Sequence, residues 1–232
     1  TSTSAATTSA LALTGEVTAV ALDGAGGAFI GGTFVISPEK TMPRSLARVS
    51  LSSSAVSSVV PSMSLPLSLA RPAKESSGIK SLQVVGSSLM VAGDFSDYGT
   101  ITRPYLVAYD VTTKALELGF DAQLNGAVRA LDGSIDGASV FAGGDFTALG
   151  ATPATRIAKL SMATGAPIAG FDLSLDSYAK EIVVHPDGNR VFIGGNFRFV
   201  NGVNAERFVA VNAGTGQPLP GYLIDFTEQT NA

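Results

Sequence analysis

The 232-residue chain contains no cysteine, no tryptophan and a single histidine. The first absence removes disulfides, thiolate metal sites and cysteine nucleophiles together. One imidazole cannot make the His-rich ligand set of a zinc centre. Charge is scarce too: only 15% of residues are charged, the net charge is −4, and the basic residues are scattered singly. Such a surface lacks the electrostatic footprint that a phosphate backbone or an anionic lipid face attracts, so neither nucleic acid nor a membrane surface is an expected partner. No apolar run approaches the roughly 20 residues of a membrane-spanning helix. No window of about 11 residues carries convincing helical periodicity. A G-x-S-x-G element and a phosphate-binding glycine loop followed by lysine are both missing. No signal peptide is visible, and the chain opens on Thr1 rather than Met, which is the expectation for a processed or excised piece.

What the chain does have is 45% hydrophobic residues, 26 glycines and a fourfold repeat. "FIGGTF" ends at Phe34, "MVAGDF" at Phe95, "FAGGDF" at Phe146 and "FIGGNF" at Phe197. These phenylalanines stand 61, 51 and 51 residues apart. An arginine follows each motif, at Arg44, Arg103, Arg156 and Arg207, with gaps of 10, 8, 10 and 10 residues. An alternating apolar run comes next: "LARVSL", "YLVAYDV", "RIAKLSM" and "RFVAVNA". Then "TTKALELGF", "ATGAPIAGF" and "GTGQPLPGY" bring Phe120, Phe171 and Tyr222 into one register. A Ser/Pro-rich stretch over 52–77 replaces that piece in the first unit and accounts for its extra length. Each unit starts on a short β-branched run closed by a turn such as "DGAGG" or "HPDGN".

Each unit therefore reads as three strands and a short fourth, which predicts an all-β chain built as a β-propeller of four-stranded antiparallel blades. Four repeats of about 51 residues either close a four-bladed ring or form part of a larger one. The expected organisation is a Thr/Ser/Ala linker over 1–14, a repeat domain over 15–226 (units 15–76, 77–124, 125–176 and 177–226) and a tail over 227–232. The set of motifs resembles the delta-60 repeat family of β-propeller-like proteins found in large bacterial secreted or surface proteins. Ala92 in place of the first glycine, Lys114 in place of a later one, and the missing Thr-Gly of the first unit depart from that pattern. The resemblance implies a propeller and an extracellular or cell-surface setting, without a defined activity.

The small residues and the phenylalanine of the motif read as packing between units. Its polar residue, Thr33, Asp94, Asp145 or Asn196, is expected to face Thr18, Lys80, Arg129 or Lys180 across a hairpin. The acids stand only where that partner is basic, so structural pairs Lys80–Asp94, Arg129–Asp145 and Lys180–Asn196 are expected in preference to a metal site. The recurrent arginines read as clamps on loop carbonyls, with an anion-binding ring as the alternative. His185 lies in a Pro-Asp-Gly turn, and no catalytic constellation or cofactor site stands out. On a rigid scaffold the unequal loops after each motif are the expected place for function. Asp97 and Tyr98 in one loop, and Arg198, Phe199, Asn201 and Asn204 in another, combine an aromatic with amide or charged groups, as sugar recognition requires. The expectation is a non-enzymatic recognition or adhesion module that binds a glycan or a surface protein. A structural or oligomerising domain is the alternative, with the 52–77 stretch as its interface, and a carbohydrate-active enzyme is set aside.

Overall fold

The computed structural model describes residues 13–36, 44–50, 78–95 and 102–221. Among them there is no helix, and so none long and apolar enough to cross a membrane. Four three-stranded antiparallel sheets follow one another along the chain. The first joins β1 (Leu13–Leu22), β2 (Gly27–Ile36) and β3 (Arg44–Ser50); the second joins β4 (Ile79–Val85), β5 (Ser88–Gly93) and β6 (Leu106–Asp110). The third unites β7 (Val128–Gly133), β8 (Ser139–Gly144) and β11 (Ile157–Ser161), and the fourth β12 (Ala179–Val184), β13 (Arg190–Gly195) and β16 (Phe208–Asn212). In each sheet the Gly-Gly strand is central. Two small hairpins interrupt the last two units: β9 (Ala148–Leu149) with β10 (Thr152–Pro153), and β14 (Phe199–Val200) with β15 (Val203–Asn204).

In the last three units the expected fourth strand shrinks to one bridging residue, Leu116 against Tyr109, Pro167 against Leu160 and Pro218 against Val211. Two of the three are prolines, which donate no backbone hydrogen bond and so hold an edge position without extending it. The turn before the bridge needs a left-handed residue. Gly165 (φ 78°) and Gly216 (φ 74°) supply it, and Lys114 adopts the same conformation at φ 62°.

Successive sheets bury their faces against one another, and the core is divided accordingly. Phe29 and Leu46 of the first sheet meet Leu82, Val91, Phe95 and Tyr109 of the second. Met90 and Leu106 of the second meet Val140, Phe146 and Leu160 of the third. Phe141 and Ile157 of the third meet Ile182, Ile193, Phe197 and Val209 of the fourth. The four strands β1, β4, β7 and β12 are the inner ones: β1 packs on β4, β4 on β7 and β7 on β12.

The two small residues of the repeated motif have separate tasks. A Cβ on the second glycine would meet a backbone oxygen of its own hairpin in every unit. Gly32 would meet Glu16 O at 2.1 Å, Gly93 Gly78 O at 2.1 Å, Gly144 Ala127 O at 2.1 Å and Gly195 Tyr178 O at 2.4 Å. The first glycine faces the next unit instead. A Cβ at Gly31 would lie 2.6 Å from Ile79, and one at Gly143 would lie 2.7 Å from Ala179 Cβ. Ala92 takes the first glycine's place in the second unit and is fully buried there, in one core cluster with Val128 of the next unit.

Candidate functional site

Inner strands carry a shared irregularity. The ladder slips between Val17 and Ala19, Ile79 and Ser81, Val128 and Ala130, and Ala179 and Glu181. The residue left over in each case is Thr18, Lys80, Arg129 or Lys180, a β-bulge without a ladder partner. The sequence placed these residues directly opposite the polar residue of the motif; the bulge corrects that register by shifting the hairpin. All four bulge residues instead line one groove of about 590 Å³ that runs over the inner strands.

Of the expected pairs, the structure brings one together. Arg129 lies 2.7 Å from the Asp145 carboxylate and covers the ring of Tyr178 at 4.3 Å. No ion pair joins Lys80 to Asp94 among the described residues, and Asn196 accepts a hydrogen bond from Arg207 at 2.5 Å, with none from Lys180. The Thr18 hydroxyl reaches the carbonyl oxygen of Ile79 in the next unit at 2.6 Å. Lysine's long flexible stem carries its ammonium away from a half-exposed carboxylate, whereas the arginine is held flat by the tyrosine beneath it. Tyr178 was not singled out from the sequence.

Asp132, also missed, ties three units together beside this groove. Its carboxylate accepts hydrogen bonds from Gln83 Nε2 (3.0 Å) in the second unit, Gly133 N (2.8 Å) in its own and Val184 N (2.7 Å) in the fourth. Burial pushes this carboxyl above the usual carboxylate range, against the opposing pull of the Val184 and Gly133 amides.

The arginine clamp is real in part and misplaced in one unit. Arg156 donates to Asp145 O at 2.7 Å, and Arg103 donates to the carbonyls of Leu118 (2.7 Å) and Phe120. Yet the residue that repeats ten positions after each phenylalanine is Tyr105, Arg156 and Arg207, all at positive φ (68°, 70° and 71°). Each donates its backbone N–H to the motif phenylalanine and accepts one from the residue two before it. Arg103, at a gap of eight, is outside this turn. The unequal spacing was the available signal.

The loop residues divide sharply. Asp97, Tyr98 and the 52–77 stretch lie outside the described residues. Arg198, Phe199, Asn201 and Asn204 sit together on the β14–β15 hairpin, closed by an Asn201-Gly202 turn with both φ values positive (49° and 77°). Asp176 Oδ1 accepts from the backbone of Arg198 (2.8 Å) and Phe199 (2.9 Å). Asn201 is committed to the scaffold: its N donates to Ser174 O and its Oδ1 accepts from Ser174 N at 2.7 Å. Asn125 holds the β9–β10 hairpin in the same way, through Thr147 N (2.8 Å) and Ala148 N (3.0 Å). The clue in the sequence was a fixed offset, since Asn125 and Asp176 each come five residues after Phe120 and Phe171.

Two hairpins on one scaffold thus carry different residues. Where the third unit has Thr147, Ala148 and Thr152, the fourth has Arg198, Phe199 and Val203. Phe199 is 46% exposed and Val203 53%, with the largely exposed Arg198 guanidinium 3.8 Å from Glu206.

His185 lies in its turn as expected, 3.1 Å from Asp187, beside Arg190. The Asn189 amide, then Arg190 and His185, hold the Asp187 carboxyl down to about 2.

No family model matches the sequence, and no curated protein matches it. Among solved structures, the chain is similar to hydrazine synthase of Kuenenia stuttgartiensis, with 13% identity and a TM-score of 0.52 over 90% of this chain. The match spans about half (49%) of that longer chain. At this identity the likeness speaks to fold alone, but it corrects one expectation. A solved enzyme is built on the same kind of fold, so the absence of a familiar catalytic motif does not put this chain outside enzymes.

Proposed function

We propose that the four sheets are blades of a β-propeller and that the chain is a recognition module which grips a partner protein through its B–C hairpins, above all β14–β15. One observation carries the reading: the third and fourth units build the same capped hairpin, and only the fourth exposes Arg198, Phe199 and Val203 there. None of these side chains serves the core, and Phe199 and Val203 put apolar surface in water. Aromatic and arginine side chains on a rigid support are the composition of an interface hot spot. The amide that would have served a sugar, the Oδ1 of Asn201, is already taken by Ser174. A protein surface therefore fits the exposed residues better than a glycan. The delta-60-like repeats support an extracellular or cell-surface setting for such a module.

The test is selection of a displayed random-peptide library on the immobilised chain, counter-screened on a Phe199→Ser, Val203→Ser double variant. Peptides that bind the chain at least about tenfold better than the variant are expected, equivalent to about 1.4 kcal/mol. Equal capture by the variant would remove the hairpin from the reading. Hairpin-dependent signal on a glycan array, with no peptide enriched, would replace a protein partner by a sugar.

A further inference from the structure

Thr18, Lys80, Arg129 and Lys180 hold one position in four successive units, and all four line the same groove over the inner strands. A β-bulge re-aims the side chain of its extra residue and is over-represented beside binding sites. What it aims here is charge. The chain has 15 lysines and arginines in 232 residues and a net charge of −4, yet three cations stand at this one position in consecutive units. Like charges gathered around one groove repel one another, and folding alone gives no reason to collect them. Thr18 shows that the position can be filled without charge, since its hydroxyl donates to the Ile79 carbonyl.

The three cations are not used alike. Arg129 is fixed: its Nε donates to Asp145 Oδ2 at 2.9 Å, its Nη2 lies 2.7 Å from the same oxygen, and its guanidinium covers Tyr178. That leaves Nη1 for a further acceptor. Lys80 on β4 and Lys180 on β12 flank it, since both strands pack on β7. Neither lysine has an ion pair or a hydrogen bond among the described residues. Two acids also line the groove, Asp132 and Glu181. The Asp132 oxygens already accept from Gln83, Gly133 and Val184, so that carboxylate is committed to the scaffold. Glu181 is exposed and is the acid that a ligand in the groove would meet.

We propose that this groove binds a small doubly charged oxyanion, a dicarboxylate or a phosphate ester, with Lys80 and Lys180 closing on it from either side of Arg129. Two ammonium groups match two negative charges, and the guanidinium supplies a directed N–H to an oxygen between them. Lysine suits the outer places because its flexible stem lets the charge follow the ligand, while the arginine stays where Tyr178 and Asp145 hold it. The groove volume of about 590 Å³ falls within the roughly 300–1,000 Å³ of small-molecule sites. Glu181 works against a ligand of higher negative charge. The site lies on β4, β7 and β12, so it stands or falls separately from recognition by the β14–β15 hairpin.

Titration calorimetry of the whole chain with succinate, and separately with inorganic phosphate, tests the site in a buffer of monovalent ions. Saturable binding of a single anion per chain is expected with at least one of the two. Succinate alone would assign a dicarboxylate, and phosphate alone a phosphate ester. A Lys80→Met, Lys180→Met double variant removes no hydrogen bond or ion pair among the described residues. It should unfold in urea as the wild type does and bind at least about tenfold more weakly. Glu181→Gln should bind more tightly, and the Phe199→Ser, Val203→Ser variant should bind the anion as the wild type does. The proposal is overturned if neither anion binds saturably or if the lysine variant binds as well as the wild type. Weaker binding by Glu181→Gln would also overturn it, because the acid rather than the lysines would then be the holding group.

Discussion

Gly143 and Gly194 hold the same place in the same motif, two units of one chain, and meet opposite surroundings. Above Gly143 stand Ala179 and Ile182 of the next inner strand; above Gly194 no side chain of the described residues comes within 4 Å. The residue type is therefore not a property of the position alone. It records a neighbour, which the described residues supply at Gly143 and not at Gly194. The second glycine differs. Gly144 and Gly195 are both closed off by backbone from their own hairpin, at 2.1 and 2.4 Å, whatever lies next door. One motif thus combines a requirement internal to the unit with a requirement of the stack.

That difference predicts a ranking. Gly144→Ala places a methyl group on the Ala127 carbonyl, which cannot move without breaking the hairpin. A loss of at least about 4 kcal/mol, or failure to fold, is expected from urea unfolding. A variant as stable as the wild type would mean that the hairpin tolerates a wider approach. Gly143→Ala comes next, since its methyl group meets side chains that can adjust in part, at a cost of about 1–3 kcal/mol. Adding Ala179→Gly should recover much of that loss, because the two sites share one contact. Gly194→Ala, whose methyl group meets no side chain of the described residues, should stay within about 0.5 kcal/mol of the wild type. Equal costs at Gly143 and Gly194 would erase the distinction between their two surroundings.

Much of this was legible in the sequence, and the limits have physical causes. The all-β class, the four units, the hairpin turns and the burial of Phe34, Phe95, Phe146 and Phe197 follow from period-2 apolar runs and a repeat at 51 residues. The bulge at Thr18, Lys80, Arg129 and Lys180 did not, because a one-residue slip leaves composition unchanged while moving every cross-strand partner. The pairs were inferred from a uniform register, and only Arg129–Asp145 survives the slip, with Tyr178 holding the guanidinium in place. Tyr105 was hidden behind Arg103 because residue type is easier to follow than spacing, though the backbone turn follows spacing. The candidate site was legible as a loop but not in its chemistry: Asn201, read as a ligand group, is a turn residue, whereas exposed Val203 went unnoticed.

The smallest expected effect separates the inner groove from the outer turns by pH. Asp132 and Asp187 are both hydrogen-bonded to backbone amides, but burial raises the first carboxyl while Asn189, Arg190 and His185 hold the second at about 2. The signs are opposite. A raised carboxyl binds its proton more tightly in the folded chain than in the unfolded one, so its contribution to stability falls as pH rises through the folded-state value. A lowered carboxyl contributes stability above its unfolded value and loses it as pH falls toward about 2. Asp132→Asn should therefore lower stability through the weakened links to Gln83 and Val184, and the gap from the wild type should widen as pH is lowered from neutral into the acidic range. Asp187→Asn should show the reverse trend, its gap narrowing as the wild-type carboxyl is titrated. Urea midpoints for the three chains across that range make the comparison. Parallel pH profiles for the two variants would show that Asp132 is as well solvated as the turn, and that the stitch across three units carries no burial cost.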